Sequence, residues 1–264
     1  MDKINPLVTV IVTTYNRKEL LKKTINSILN QTYKNFEFII IDNFSNYDFF
    51  SYIKSFNDPR INAYQNNNNG IIAINRNYAI KQSKAELIAF CDDDDIWHRT
   101  KLEKAIKIFH SKTKVDIVSH AVYRTLNGEV ISKWPKPISY SKANIYSQLL
   151  LRGNFVGLCT VVIKKKIMEE LNGFNESKGY LAVEDYDLWL RIAKSGKIFK
   201  YISEPLAESR IGGISTENAT VQYKNLLRVI KKHYLVYQPK TIKVRIYYYF
   251  RLFKILVKIL FAKN

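Results

Sequence analysis

The chain has 264 residues, 47% hydrophobic and 13% aromatic, which is enough apolar content for a buried core and excludes an intrinsically disordered protein. Its two cysteines, Cys91 and Cys159, exclude a disulfide framework and indicate a reducing compartment such as the cytosol. The net charge of +19 is concentrated at one end, because residues 221–264 contain eleven Lys or Arg and no Asp or Glu.

Apolar runs rich in Val and Ile alternate with helix-period segments over the first 110 residues, which is typical of a parallel sheet built from βα units. Strands are predicted near residues 8–12, 36–41, 61–64 and 86–91. Between them, KELLKKTINSILNQ and GIIAINRNYAIKQS have the apolar spacing of amphipathic helices. The pattern predicts a doubly wound α/β fold with helices on both faces of a mainly parallel sheet.

The pattern changes after about residue 115. DIVSHAVYRTLNGEVISKW predicts two antiparallel strands joined by a hairpin at Asn127-Gly128. GLCTVVIKKKIMEEL predicts a strand followed by a helix, and VEDYDLWLRIAKSG predicts a helix that ends at Gly196. Two more helices are predicted near 217–237 and 240–262. We therefore expect one globular domain, residues 1–215, and a basic helical extension, residues 216–264.

Four carboxylates, Asp92 to Asp95, directly follow the predicted strand ELIAFC. Ligands of open α/β sheets bind at the carboxyl ends of the strands, so this position favours a site. If the segment stays extended, Asp92 and Asp94 lie on one side and Asp93 and Asp95 on the other, and each pair could share a cation. Oxygen ligands select a hard ion such as Mg²⁺ or Mn²⁺. The alternative is a solvated acidic turn before a helix.

Six segments resemble, in chain order, the family 2 glycosyltransferases, which are nucleotide-sugar-dependent enzymes of the GT-A fold. The segments are VTVIVTTYNR, FEFIIIDNFS, NNGIIAINRNYAI, LIAFCDDDDIW, LNGFNE and VEDYDLWLRIAKSG. The resemblance runs in chain order from about residue 7 to 215. The resemblance implies a GT-A sheet and an inverting enzyme that moves a sugar, a hexose by expectation, from a nucleoside diphosphate.

By this resemblance, Asp92 and Asp94 belong to the family's Asp-x-Asp motif, Asp93 fills its variable position and Asp95 follows it. Asp94 is the implied ligand of a Mn²⁺ or Mg²⁺ ion that bridges the two phosphates of the donor. Asp92 is implied to hold the ribose or the ion's water shell, and Asp93 is included among the donor-binding candidates. A divalent ion suits this position because the departing diphosphate develops negative charge.

The matched motifs imply further donor-binding residues at the ends of the first two strands and on a helix. These are Thr13, Thr14, Tyr15, Asp42, Asn43 and Arg76. An Asx side chain can pair with a pyrimidine edge, and we favour UDP over dTDP. Many relatives carry Asp and Gly at the positions of Asn43 and Phe44. Arg76 is implied to face the diphosphate, with an ordinary exposed helix arginine as the alternative.

A second acidic segment, in AVEDYDLWLR, contains Glu184, Asp185 and Asp187. The resemblance implies that Asp185 is the general base, which a sugar hydroxyl needs because it is a poor nucleophile at neutral pH. The alternative is a set of acids that favour the N-terminus of a helix. Trp97 and Glu184 are candidates for the acceptor site, with core packing as the alternative for Trp97. RIGGIST, residues 210–216, resembles a loop that closes over the donor.

The C-terminal segment KTIKVRIYYYFRLFKILVKILFAKN alternates charge and apolar bulk at helical spacing. One predicted, mostly basic stripe contains Lys240, Val244, Tyr247, Arg251, Lys254 and Lys258. The opposite stripe is apolar and contains Ile246, Phe250, Phe253, Leu256, Leu260 and their neighbours. Its charge-free stretches are far shorter than the ~20 residues that span a bilayer. We therefore expect this helix to lie on the cytoplasmic face of the cell membrane, where it would reach a lipid-linked acceptor. The alternatives are a helix packed on the domain and a dimer contact.

The expected acceptor is a lipid-linked or cell-surface glycan such as lipopolysaccharide or capsule. No export signal is expected, because MDKINPLVTV lacks a basic region and a long apolar region. A sugar nucleotidyltransferase is the enzyme alternative, but it calls for a glycine-rich triphosphate loop, and TTYNRKELL contains no glycine. A nucleic-acid-binding protein is the third hypothesis. It is disfavoured because the positive charge is concentrated in the tail and the ligand edge is acidic.

Overall fold

The computed structural model describes residues 8–135, 145–212, 219–237 and 242–261. The strands of these residues are β1 Val8–Thr14, β2 Phe36–Asp42, β3 Ile61–Gln65, β4 Leu87–Asp92, β5 Ile96–Trp97, β6 Ile117–Leu126, β7 Glu129–Trp134, β8 Val162–Lys164 and β9 Phe199–Arg210. The α-helices are α1 Lys18–Leu29, α2 Phe49–Lys54, α3 Ile72–Gln82, α4 Lys101–Phe109, α5 Ile145–Arg152, α6 Lys165–Glu170, α7 Glu184–Lys194, α8 Ala219–Tyr237 and α9 Ile242–Phe261.

The strands form one mixed sheet in the order β3-β2-β1-β4-β8-β6-β9-β5, with β7 paired to β6. The first four strands of this order run parallel, as the βα pattern predicts. Strand β8 pairs antiparallel with both β4 and β6. Asn127 and Gly128, with φ of 52° and 86°, form the predicted hairpin between β6 and β7. The predicted α/β class is confirmed.

The core lies on both faces of the sheet because side chains alternate along each strand. In β1, Ile11 packs into one buried cluster, whereas Val10 and Val12 pack into the other. Helices α1, α2 and α4 cover the second cluster, and α3, α5 and α7 cover the first. Burial of one such side chain contributes about 1.5–3 kcal/mol. The carboxyl ends of β1 and β4 stay at the edge of these layers, where a ligand can approach.

Helix α1 positions both the side chain of Arg17 and the acidic segment at this edge of the sheet. Leu21 and Ile25 recur at helical spacing and are fully buried against the sheet. Arg17 lies just before the first turn of α1, and its side chain makes no capping bond to that turn. The Thr24 hydroxyl donates a hydrogen bond of 2.9 Å to the backbone oxygen of Asp95. The helix therefore holds the strand-end acids in place.

Helix α7 presents the second acidic segment from a buried, rigid element. Its first turn contains Glu184, Asp185 and Asp187, whose negative charge is favourable at the N-terminal end of a helix. Trp189 is fully buried. Gly196 has a φ of 74° just past the end of the helix, so the predicted glycine stop is confirmed.

Helix α8 packs on α7 through an ion cluster around Asp187. His233 Nε2 lies 3.2 Å and Lys232 Nζ 3.4 Å from Asp187 Oδ1, and Arg191 Nε lies 2.7 Å from Oδ2. Burial acts to raise the pKa of Asp187, but the hydrogen bond from His233 and the charge of Arg191 lower it to about 2. Asp187 therefore links two helices and keeps its charge.

Helix α9 is partly integrated into the same core. Tyr248 and Ile255 are each 5% exposed and belong to the cluster that contains α5 and α7. Residues of α8, including Val229 and Ile230, are also fully buried there. The structure does not test the predicted boundary at residue 215, which stays a prediction.

Arg251 connects α9 to the helices behind it. Its Nη1 donates hydrogen bonds to the carbonyl oxygens of Leu149, at 3.2 Å, and Leu150 in the last turns of α5. The same nitrogen lies 2.9 Å from the hydroxyl of Tyr186 in α7. C-terminal carbonyls of a helix have no partner within the helix, so a cation there stabilises it. Arg251 thus faces inward and does not belong to a solvated basic stripe.

None of the helices in the described ranges has the length and apolar content that a membrane span requires.

Candidate functional site

A cavity of about 650 Å³ opens at the carboxyl ends of β1 and β4. Thr13 of β1 pairs with Asp92 of β4, and Thr14 pairs with Asp42 of β2, so the three strands end together. The wall of the cavity includes Thr13, Thr14, Tyr15, Arg17, Asn43, Asn68, Arg76, Asp92 to Asp95, Asn154, Glu184, Asp185, Ser209 and Arg210. Both acidic segments of the sequence therefore line one cavity of a size that suits a small-molecule ligand.

The acidic row does not stay extended, so the predicted alternation is wrong. The chain turns after Asp92, and the backbone nitrogen of Asp95 donates to the oxygen of Asp92 at 3.2 Å. As a result Asp93 and Asp94 both contact Arg17, whose Nη1 lies 3.1 Å from Asp93 Oδ1 and 3.2 Å from Asp94 Oδ2. The Thr14 hydroxyl donates to Asp93 Oδ2 at 2.8 Å.

Arg76 joins the two acidic segments. Its Nη2 lies 2.9 Å from Asp92 Oδ1, and its Nη1 lies 2.6 Å from Glu184 Oε1. Arg76 is 5% exposed, so it is not an ordinary surface arginine. Glu184 Oε2 is buried without a hydrogen-bond partner among the described residues. A buried polar atom of this kind at a cavity wall points to a ligand group that it could bind.

Asp185 lies beside Glu184 at the start of α7 and is half-buried in the cavity wall. Asn154 Nδ2 donates a hydrogen bond of 3.0 Å to Asp185 Oδ2. Burial and the charge of Glu184 raise the pKa of Asp185 to about 7, against the opposing charge of Arg76. A carboxylate with a pKa near neutrality is suited to accept and release protons at physiological pH.

Two of the four carboxylates of the acidic row could share in binding a hard divalent ion. Among the described residues there is no group of three or more His, Cys, Asp or Glu that could hold a metal. Asp92 and Asp94 both line the cavity, and Mg²⁺ is often held by one or two carboxylates together with substrate phosphates. Burial and the charges of Asp92 and Asp93 raise the pKa of Asp94 to about 6. A cation would relieve this repulsion, so the residues fit the ion.

The end of β1 offers polar and aromatic contacts. Tyr15 is 53% exposed at the cavity wall. The hydroxyl of Thr13 is buried without a hydrogen-bond partner in the described part of the chain. Both therefore lie where a ligand could contact them.

The end of β2 departs from the sequence prediction in one respect. Asp42 is fully buried, and its Oδ2 accepts hydrogen bonds of 2.9 Å from the backbone nitrogen of Ser45 and from Gln65 Nε2. Asp42 therefore lies behind the cavity wall and shapes the next loop. Asn43 does line the cavity, and its Oδ1 accepts from the backbone nitrogen of Asn68 at 2.9 Å. Phe44 has a φ of 60°, a region that favours the glycine that many relatives carry at this position.

Trp97 was predicted as an acceptor contact, and the structure corrects its placement. It is 3% exposed and packs in the core with Leu102 and Ala105, away from the cavity wall. Strand β5 pairs with β9, and the indole lies against the buried Lys101, whose Nζ is 3.0 Å from the ring centroid. The core-packing alternative is therefore the correct one for Trp97.

Lys101 is fully buried beneath the acidic row, where Nζ donates a hydrogen bond of 2.6 Å to the carbonyl oxygen of Cys159. Burial lowers the pKa of Lys101 from 10.5 to about 7. At a pH between about 7 and 10.5 the amine of Lys101 is more protonated in the unfolded chain than in the folded chain. Its titration therefore makes the free energy of unfolding rise with pH over this range. Below about pH 7 the buried amine is charged, and it then makes its full unfavourable contribution to the stability of the fold.

We expect a Lys101→Met variant to lose this pH dependence, because Met keeps the apolar stem without a titratable amine. The free energy of unfolding of the wild type, minus that of the variant, should rise by about 1 kcal/mol per pH unit from pH 7 to 9. Urea denaturation at each pH gives both values, and other titrating groups cancel in the difference. Parallel pH profiles for the two proteins would contradict a depressed pKa.

Among the cavity residues that the sequence prediction missed are Arg17 and Asn154, both with defined contacts. Arg17 stands within VTVIVTTYNR, directly after the strand end, and a cation there opposite four carboxylates was a usable signal. Asn154 follows α5 with no motif around it. Ser209 and Arg210 reach the wall because β9 pairs in parallel with β6, which no local pattern indicates. Of the predicted donor-closing loop, residues 213–216 lie outside the described residues.

The α/β sheet with an acidic cavity at its strand ends is that of a transferase of the GT-A fold. Residues 9–171 match the family described as Glycosyl transferase family 2. This match covers more than half of the chain, and the chain therefore belongs to that family of glycosyltransferases.

Among curated proteins, the chain is 33% identical over 193 residues to the Escherichia coli UDP-Glc:alpha-D-GlcNAc-diphosphoundecaprenol beta-1,3-glucosyltransferase WfaP, covering 72% of this chain and 71% of WfaP. Two solved structures share the fold. TarS 1-349 from S. aureus in complex with UDP-GlcNAc gives a TM-score of 0.65 at 20% identity, covering 86% of this chain. The chain spans 66% of that TarS fragment, just under two thirds. The mannosyltransferase PcManGT from Pyrobaculum calidifontis, in complex with GDP-Man and Mn²⁺, gives a TM-score of 0.66 at 19% identity, and the match covers 98% of this chain and 74% of PcManGT.

Proposed function

We propose that this glycosyltransferase moves a hexose from a UDP-sugar to a hydroxyl of a lipid-linked or cell-surface glycan, with inversion at the anomeric carbon. The observation that carries the proposal is the convergence of the two acidic segments on one cavity, joined by Arg76. The segment of Asp92 to Asp95, with its metal ion, would serve the departing diphosphate. The segment that contains Asp185 would serve the incoming hydroxyl. The two halves of a displacement reaction thus have separate groups in one site.

The donor is assigned to the side of the cavity formed by β1 and β4. The exposed ring of Tyr15 offers a contact for the nucleoside, and so does the hydroxyl of Thr13, which has no hydrogen-bond partner among the described residues. Asn43 lies at the same wall and would contact the base. The name of WfaP specifies UDP-Glc, and TarS was solved with UDP-GlcNAc, which supports UDP over dTDP.

Asp94 and Asp92 would hold the divalent ion, Mn²⁺ or Mg²⁺, which when bound supplies Lewis-acid stabilisation of the departing diphosphate. PcManGT was solved with Mn²⁺. Arg17 and Arg76 orient the carboxylates of this segment through their ion pairs. Both arginines line the cavity and add positive charge where negative charge develops on the leaving group.

Asp185 is proposed as the general base. It takes the proton of the acceptor hydroxyl as the new bond from oxygen to the anomeric carbon forms and the bond to the donor phosphate breaks. Attack from the face opposite the diphosphate inverts the anomeric centre. Asn154 holds one oxygen of Asp185, and Glu184 beside it is positioned to bind another hydroxyl of the acceptor.

The acceptor proposal follows from apolar surface beside Asp185 and from the relative. Leu158, Leu181 and Ala182 line the cavity together with Asp185, which suits a ligand with an apolar part. The acceptor in the name of WfaP is GlcNAc linked through a diphosphate to undecaprenol. A product of the lipopolysaccharide or capsule type, made by a peripheral enzyme at the cytoplasmic face of the membrane, fits such an acceptor.

The domain division of the sequence is retained in this proposal. Residues 1–215 would bind the donor and perform the transfer. Residues 216–264 would support α5 and α7 and bring the enzyme to its lipid-linked acceptor.

The test is a panel of nucleoside diphosphates and their sugars, each with Mn²⁺ and each with a chelator. UDP and one UDP-hexose are expected to raise the melting temperature most, because a ligand at 100 times its Kd stabilises the folded state by about 2.7 kcal/mol. The UDP-hexose that stabilises best should then release UDP in the presence of a diphosphate-linked saccharide acceptor. The anomeric configuration of the product, read by NMR, tests the inversion.

Two outcomes would replace the proposal. Formation of a nucleotide sugar from a nucleoside triphosphate and a sugar phosphate would identify a nucleotidyltransferase. No stabilisation by any nucleotide, together with salt-dependent binding of DNA or RNA, would identify a nucleic-acid-binding protein.

A further inference from the structure

Contacts on one side of α9 fix how the helix is rotated about its axis. Tyr248 and Ile255 are buried in the core, and Arg251 donates hydrogen bonds to Leu150 and Tyr186. These three residues of α9 fall on one side of a 3.6-residue helix. The opposite side must therefore face away from the domain.

That opposite side is apolar. Its residues are 54% to 77% exposed, and together we name them the outer face of α9: Ile242, Ile246, Phe250, Phe253, Leu260 and Phe261. A single exposed apolar residue is ordinary, but a continuous apolar strip along a packed helix marks an interaction surface. The sequence pattern predicted an apolar stripe opposite the basic one, and the structure adds that the apolar stripe is the one that points outward.

Positive charge borders this face. Arg245, Lys254 and Lys258 are exposed, and Lys254 Nζ lies 4.4 Å from the centroid of the Phe250 ring. Residues 221–264 contain eleven Lys or Arg and no Asp or Glu. The complementary partner therefore has an apolar layer beneath a negatively charged one. A bilayer with anionic headgroups has this arrangement, and aromatic and basic residues are typical of helices that lie in its interface.

A second copy of the chain is a poorer partner for the same face. Pairing two outer faces would bring two segments of like positive charge together, which opposes association. The apolar strip could be covered by such a dimer, but the surrounding lysines would then lack a counter-charge.

We propose that the outer face of α9 is the surface through which this protein docks on an anionic bilayer. The helix lies in the plane of the interface with its inner side on the domain. This inference deepens the proposed function, on which it rests, because docking would bring the cavity to a lipid-linked acceptor.

The experiment is flotation of the full chain with vesicles of phosphatidylcholine alone or with 30% phosphatidylglycerol. The wild type should float with the anionic vesicles, and added salt should weaken the binding. A double variant, Ile246→Gln with Phe253→Gln, should bind the anionic vesicles at least tenfold more weakly. Gln is a good helix former and both positions are exposed, so the melting temperature should not change.

A matched control removes exposed apolar residues elsewhere. Val130 and Ile131 of β7 are 56% and 52% exposed, and Val130→Gln with Ile131→Gln should leave flotation unchanged. A charge variant, Lys254→Glu with Lys258→Glu, should also lose binding to anionic vesicles. Equal loss in the β7 control and the α9 variant would overturn the assignment of the surface.

Other results separate this inference from the proposed function. Wild-type protein that is stabilised by a UDP-sugar but does not float with anionic vesicles would overturn the docking surface alone. If sedimentation equilibrium shows a dimer that the double α9 variant dissociates, and vesicles do not bind, the face is a dimer interface and the inference is wrong. Flotation that depends on the outer face without any nucleotide binding would support the surface while removing the proposed transferase activity.

Discussion

An Asp185→Asn variant is expected to bind donor normally and to lose transfer by a factor of about 10² to 10⁴, the usual contribution of a general base. Asn has nearly the shape of Asp, and its carbonyl oxygen can still accept the hydrogen bond from Asn154 Nδ2, so the cavity wall should stay intact. Asn has no capacity to take the proton of the acceptor hydroxyl. The measurements are turnover at saturating acceptor and UDP affinity by calorimetry.

The pH profile makes this prediction sharper. Since the pKa of Asp185 is raised to about 7, the wild-type rate should fall as the pH decreases below 7, when the carboxylate becomes protonated. The residual rate of the Asn variant should not follow that profile. Near-normal turnover of the variant, or a pH profile of the variant that matches the wild type, would show that another group takes the proton.

An Asp94→Ala variant is expected to lose at least about tenfold, or about 1.4 kcal/mol, in the Mn²⁺-dependent part of UDP binding. Calorimetry with and without a chelator isolates that part. Because protons compete with the metal for a carboxylate whose pKa is about 6, wild-type affinity should also fall below pH 6.

Asp58→Ala is the matched control for that experiment. Asp58 also pairs with an arginine, at 2.6 Å from Arg60, but it lies outside the cavity. The control should keep metal-dependent binding. An Asp94 variant that binds Mn²⁺ and UDP as the control does would remove Asp94 from the proposed ligands.

The sequence was sufficient for most of the parallel half of the sheet because β1, β2 and β4 are short, mostly apolar runs. Strands β1 to β4 and helices α1, α3 and α7 appear close to their predicted bounds. Strand β9 was not predicted, because FKYISEPLAESR contains a proline and mixed polarity. Its strand geometry depends on pairing with β6 and β5, which is a tertiary effect.

The site could be predicted as a set of residues but not as a set of contacts. The motifs placed Asp92, Asp94, Arg76 and Asp185 on one cavity wall, and the structure brings them there. The ion pairs were not predictable, since they depend on the turn after Asp92 and on where the side chain of Arg17 reaches. The placement of Trp97 was not predictable for a similar reason. A shift of one position along β5 decides whether an aromatic ring faces the cavity or packs in the core.

Arg251 has a practical consequence for anyone who prepares this protein. Removing residues 240–264 to obtain a protein free of lipid would also delete the hydrogen bonds to Leu149 and Leu150 and two buried side chains. Such a truncated protein is expected to be unstable, and its inactivity would say nothing about membranes. Surface substitution on α9, which keeps Arg251, is the better route to purification and crystallisation.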